Sequence, residues 1–344
     1  MRQLRCAEPI IGPSPRRALP ALQVALILAS AVWFARRVDP WLVIDHLRSL
    51  PLVSLLIALG WSCVAMYCFT ARWRMFLRAW GATPPTTLAS LSLVLSSTFW
   101  NLLPGGVAGD LARSAAVRHS VGGLGNALAA LWFERLGGLA GLFLVALGAH
   151  AFSLRASSFV HRAPLLTHRA FVFTPALPAW LIQATLLGFL GSLALLALSL
   201  AATRSATLAR RLSTVPLVGS RLGTLTPPAR PRDLALGLLL SLLTQSTSVF
   251  SLAVVVHALS PSADFDSVIA LSPAAVLLTF VPLTPAGIGQ REAVFSMVYA
   301  QAGVATEVAV AASVTSFALG LLFPVVGGLL ALLQSVRPVP RQKP

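Results

Sequence analysis

Six apolar runs, each near the length that a bilayer demands, constrain this chain more than any other feature. A helix needs about 20 mainly apolar residues to cross ~30 Å of hydrocarbon at 1.5 Å per residue. The runs at 19–35, 51–71, 126–150, 178–202, 233–259 and 304–335 meet that need, the first a little short. Of the 344 residues, 56% are hydrophobic and only 10% charged, where soluble chains carry about 25% charge. So few charges cannot cover a soluble core, and the chain reads as an all-α integral membrane protein. Arg16-Arg17 before the first run and Ala29-Ser30-Ala31 near its end also outline a secretory signal. The run is read as a retained span because no soluble exported domain follows it.

Two further apolar segments, 86–103 and 268–284, behave differently. Each runs into a Pro/Gly cluster and then a short charged helix. The first reaches Pro104-Gly105-Gly106-Val107-Ala108-Gly109-Asp110, the second Pro285-Ala286-Gly287-Ile288-Gly289-Gln290-Arg291-Glu292. Read as re-entrant hairpins, they leave six full spans and both termini cytoplasmic. Eighteen of the 26 basic residues then fall inside, in the N-terminal tail, Arg72/Arg74/Arg78, Arg113/Arg118, the 203–232 loop and the C-terminal tail. That is the bias expected of cytoplasmic loops. It also explains the net charge of +16 through orientation and anionic headgroups, so nucleic acid is not expected as a partner. The chain divides into a cytoplasmic tail (1–18), a first membrane repeat (19–150), an outer loop (151–177), a second repeat (178–335, with the loop 203–232) and a second cytoplasmic tail (336–344). The two repeats have opposite topology. Inverted repeats with interrupted helices at matching positions point to a transporter's binding site.

Broken backbone in hydrocarbon survives only where protein buries it or a wet cavity lines it. Pro104, Gly105, Gly106 and Gly109, like Pro285, Gly287 and Gly289, therefore mark a candidate polar centre, with Asn101 placed to satisfy freed backbone groups. Helix N-termini near Asp110 and Gln290 could hold an anion there; the alternative is that the turns only reverse the chain. Ionised side chains at membrane depth are expensive and are normally paired. Asp110 and Arg113 share a helical face. Glu134 and Arg135 are adjacent, so each should seek its own partner. Arg291 and Glu292 complete three acids matched by three arginines, which suggests internal salt bridges. Asp110 and Glu292 could instead cap helices. Thr244-Gln245-Ser246-Thr247-Ser248 reads as interhelical packing more than substrate contact, Trp33, Trp41, Trp73, Trp80 and Trp180 as interfacial anchors, and Cys63 and Cys68 as packing residues. No metal-ligand spacing, P-loop or nucleophile elbow is present, so no cofactor, metal or enzymatic activity is expected.

Asn101-x-x-Pro104-Gly105-Gly106-x-x-Gly109-Asp110-x-x-Arg113, then Glu134-Arg135, then Pro285-x-Gly287-x-Gly289-x-x-Glu292 resembles the flippase-like membrane domain, the transmembrane part of bacterial lysylphosphatidylglycerol synthetases, also found alone. The resemblance covers nearly the whole chain. It implies a multi-pass protein of the bacterial inner membrane that moves an anionic or modified lipid between leaflets, with membrane lipids and a lipid-modifying enzyme as partners. Asp110 stands where the family is expected to have Glu, and nothing after Pro344 would form the soluble aminoacyl-transferase domain, so that activity is not expected. Two other readings stand beside it: a membrane-embedded subunit of a lipid-modifying (glycosyl- or aminoacyl-transfer) enzyme, and a secondary transporter for a small anion.

Overall fold

The computed structural model describes residues 39–102, 107–162, 179–205, 207, 228–279, 284, 287 and 289–336. Among these, the chain forms α1 (Pro40–Ser49), α2 (Leu52–Ala79), α3 (Thr87–Trp100), α4 (Ala108–Val117), α5 (Leu124–Arg162), α6 (Ala179–Arg204), α7 (Pro231–Leu259), α8 (Phe265–Thr279), α9 (Gln290–Tyr299), a 3-10 turn (Ala300–Ala302) and α10 (Thr306–Val336). It is an all-α membrane protein. Helices α2, α5, α6, α7 and α10 are long and apolar enough to cross a bilayer, and they coincide with five of the six expected spans. The sixth, 19–35, lies outside the described residues, as do the tails 1–18 and 337–344 and most of the loop 203–232.

The two segments set apart in the sequence are α3 and α8, of 14 and 15 residues. At 1.5 Å per residue they reach only about 21–23 Å, short of a crossing. Each precedes a 10-residue helix, α4 or α9. Helix packing follows a paired pattern. α3 lies on α4 as α8 lies on α9, α3 on α10 as α8 on α5, and α2 on α5 as α7 on α10, while α2 and α7 pack extensively on each other.

Three boundaries differ from expectation. α2 continues past residue 71 to Ala79, which carries Arg72 into the interior. α5 continues to Arg162, so residues 151–162 of the expected outer loop are helical. The segment before α2 forms α1, where Asp39 accepts the Trp41 N–H at 2.9 Å and Pro40 occupies a first-turn position whose lost N–H is harmless. Trp41 is 73% exposed, as an interfacial anchor should be. Trp73 and Trp80, also expected as anchors, are instead 1% and 5% exposed. Trp73 lies under the Arg113 guanidinium, and Trp80 meets Phe133 with ring centroids 4.9 Å apart. Trp33 and the Trp180 side chain fall outside the described residues. Cys63, expected to pack, is exposed on the outer face of α2, and Cys68 is half-buried.

Close backbone contact holds α3 in place. A Cβ added at Gly109 of α4 would collide with the Ser97 carbonyl, and one at Gly327 of α10 with the Leu95 carbonyl. Small residues permit such approach where apolar burial cannot drive association. Gly327→Ala should therefore lower stability by about 1–3 kcal/mol, the usual cost of overpacking. Gly60→Ala, inside α2 with open space around it, should hold or raise the melting midpoint in detergent through its better helix propensity.

Candidate functional site: a buried arginine and carboxylate network

The first break is organised by Asn101. Helix α4 starts without a side-chain cap of its own at Val107. The Asn101 carboxamide oxygen supplies one from across the break, accepting the N–H groups of Gly109 at 2.9 Å and Asp110 at 3.3 Å. Its Nδ2 also donates to Asp110 Oδ1 at 3.4 Å. The role expected for Asn101 is the one it has. Capping by Asn101 frees the Asp110 carboxylate, which turns instead to arginines.

Arg113 Nη2 donates to Asp110 Oδ1 and to Glu134 Oε2, both at 3.0 Å. Arg72 Nη2 meets Glu134 Oε1 at 3.5 Å, and Arg135 pairs with Asp110 Oδ2. Asp110 and Arg113 thus pair as their spacing predicts, and the neighbours Glu134 and Arg135 do turn to different partners. Asp110, Arg113, Glu134 and Arg72 are each no more than 4% exposed. The Arg135 side chain is 48% exposed, so it forms the outward edge of the network. Aromatic faces complete the cage: the Arg72 and Arg113 guanidinium carbons lie 4.6 and 5.3 Å from the Phe69 centroid, and Arg113 lies 5.2 Å from the Trp73 ring. Such stacking stabilises a partly desolvated guanidinium.

Arg72 corrects the sequence reading, which counts it, like Arg113, among the basic residues of cytoplasmic loops; both are buried. Ala65, Phe69, Arg72 and Phe76 recur at helical spacing, so a helix that reaches Ala79 turns Arg72 inward with them. Gly138 leaves the room it needs, since a Cβ there would stand 3.0 Å from Arg72 Nη1. The result is three guanidinium groups around two carboxylates. The Nε and Nη1 atoms of both Arg72 and Arg113 are buried and have no hydrogen-bond partner, which is costly unless something else accepts from them.

The second break is built otherwise. Gly287 and Gly289 have φ of 71° and 80°, a region that only glycine enters cheaply. Glu292 caps α9 by accepting the Gly289 N–H at 2.7 Å, and it also accepts Ser313 Oγ at 3.0 Å. Arg291 donates to the Ser313 carbonyl at 2.6 Å and lies 4.6 Å over Phe317. The salt bridge expected here does not form among the described residues, because neighbours on a helix point apart and both reach for Ser313. The described contacts also do not join Arg291 and Glu292 to the Asp110 network. Pro104, Gly105, Gly106 and Pro285 lie outside the described residues.

The mid-span polar run divides its roles. Gln245 Nε2 donates to the Gly138 carbonyl at 3.1 Å, an interhelical packing contact as expected. Thr244 and Ser248 line a cavity of about 270 Å³ between α2, α7 and α10.

Glu134 holds two buried arginines, so Glu134→Gln should cost on the order of 3–5 kcal/mol. Arg72→Met leaves Glu134 paired with Arg113 and should cost much less. Combining the two should recover part of the Glu134→Gln loss, as measured by denaturation in mixed micelles.

No curated protein matches the chain. The family model described as the lysylphosphatidylglycerol synthase TM region matches residues 21–328, a stretch that holds both helix breaks and every member of the network. The chain belongs to that family, whose members are membrane proteins tied to lipid modification or translocation.

Proposed function

We propose that this protein translocates an anionic or modified lipid headgroup between the leaflets of the bacterial inner membrane, without chemistry of its own. One observation carries the reading. At membrane depth, beside an interrupted helix, three arginines surround two carboxylates, and four guanidinium nitrogens on Arg72 and Arg113 lack partners. Phosphate oxygens match that donor set in charge, and arginine's planar fork suits them. Arg135, half-exposed, would meet the phosphate first and release Asp110 to Arg113. Ion pairs would then exchange partners, so no arginine need stand alone as the headgroup passes. The acyl chains would remain in lipid.

The paired packing of α2–α5 with α7–α10 supports two halves of related architecture; their opposite topology, with both termini cytoplasmic, rests on the basic bias of the inner segments. With Pro104 laid on Pro285, Glu134 and Arg135 fall on Thr315 and Ser316. The halves would thus share an architecture and divide the chemistry, charge in one and hydroxyls in the other.

Two experiments test this. In proteoliposomes with acyl-labelled anionic lipid, an impermeant reductant should reach inner-leaflet label quickly with wild type. The rate should fall roughly tenfold or more with Arg135→Gln, the expected weight of a hydrogen bond to a charged group. No exposure from folded protein, or a chemically altered lipid, would replace translocation with an enzymatic role. For topology, single cysteines at His119 and Ser262 in a background lacking Cys6, Cys63 and Cys68 should label from opposite sides. Labelling from one side would end the inverted repeat.

A further inference from the structure

The cavity between α2, α7 and α10 shares a wall with the arginine network. Phe69 lines it, and on that same ring lie the Arg72 and Arg113 guanidinium groups, 4.6 and 5.3 Å from its centroid. The rest of the lining is mainly apolar but carries five hydroxyls: Ser62, Thr244, Ser248, Ser251 and Ser316.

How those hydroxyls are used decides what the cavity can take. Thr244 Oγ1 donates to the Leu240 carbonyl at 2.7 Å and Ser248 Oγ to the Thr244 carbonyl at 2.9 Å. Ser251 Oγ donates to the Ala58 carbonyl at 2.8 Å. Ser62 Oγ lies 2.9 Å from both the Ala58 carbonyl and Ser251 Oγ. Their protons go to the helices, so what they offer the cavity is lone pairs. Ser316 Oγ is buried with no partner. With four hydroxyls offering only lone pairs and Ser316 alone free to donate, the lining favours a ligand that donates: a hydroxyl, a water or an ammonium. The network behind Phe69 carries one more arginine than it has carboxylates, which disfavours an ammonium. A bare phosphate suits the arginines and not the lone pairs.

We infer that the cavity is the seat of a neutral, hydroxyl-rich headgroup whose phosphate is held by the neighbouring arginines, so that the preferred lipid is a polyol phosphodiester and not an aminoacylated or other ammonium-bearing one. This deepens the translocation reading and rests on the arginines' binding phosphate. The cavity's size fits a single sugar-like ring, not a whole lipid.

Three probes isolate the claim: phosphatidylinositol, phosphatidylmethanol, which has the phosphodiester without the polyol, and phosphatidylethanolamine. Retention of each by the purified protein is read by native mass spectrometry, with transbilayer movement of the labelled forms measured in parallel. Wild type should retain phosphatidylinositol about tenfold over phosphatidylmethanol, the weight of one or two net hydrogen bonds, and should hold phosphatidylethanolamine weakest. The variant Thr244→Val/Ser248→Ala/Ser316→Ala should bring the two anionic lipids level without weakening phosphatidylmethanol. Single replacements give the same ordering in smaller steps if the triple variant fails to fold. Equal retention of the two anionic lipids by wild type, or a preference for the ammonium lipid, would overturn the inference even where movement is observed. Selective retention without movement would overturn translocation and leave this inference standing.

Discussion

Everything near the middle of this protein depends on keeping guanidinium groups paired where water is scarce. An arginine stays charged in any protein environment, so burial of Arg72 and Arg113 has to be answered by geometry. Glu134 answers for both, holding Arg72 at 3.5 Å and Arg113 at 3.0 Å. Asp110 supplies the second carboxylate, and it can do so only because Asn101 has taken over the capping of α4. The break in the backbone and the charge network are therefore one construction. Remove the cap and the carboxylate is drawn to the helix end; remove the carboxylate and an arginine is stranded.

That construction is asymmetric in a useful way. On one side the network is closed by Phe69 and Trp73, and on the other Arg135 reaches outward. A cavity lined by apolar side chains and five hydroxyls lies against the closed side, and four of those hydroxyls are committed as donors. Around the second break the acid is spent on capping α9 and the arginine on a main-chain carbonyl. The first half thus holds the connected charge network, whereas in the second the charged pair is tied to Ser313 and the start of α9. In the proposed translocation, partner exchange among these acids and arginines would replace one ion pair with another and so avoid a lone charge in hydrocarbon, the costly case.

Most of this architecture was legible from the sequence because membrane rules act locally. Span length, basic bias and the Pro/Gly interruptions located five long helices and the two short ones, and the i,i+3 spacing of Asp110 and Arg113 foretold their pairing. Failures came where tertiary context overrode position. The apolar run ends near Arg72 and so suggests a loop, although its spacing with Ala65, Phe69 and Phe76 carries the signal that it faces inward. Trp73 and Trp80 look like anchors for the same reason, because α2 runs on to Ala79. Arg291 and Glu292 looked like a pair by composition, but no sequence pattern announces that Ser313, about twenty residues away, would claim both.

The account stands on lipid phosphate reaching the buried guanidinium nitrogens. Solid-state NMR on protein with ¹⁵N-labelled arginine in phosphatidylglycerol bilayers measures that contact directly, through transfer between lipid phosphorus and Nη. Phosphorus contacts to protected guanidinium resonances are expected, and they should disappear in Arg72→Gln and in Arg113→Gln. Contacts confined to solvent-exchanging arginines, unchanged in both variants, would contradict it.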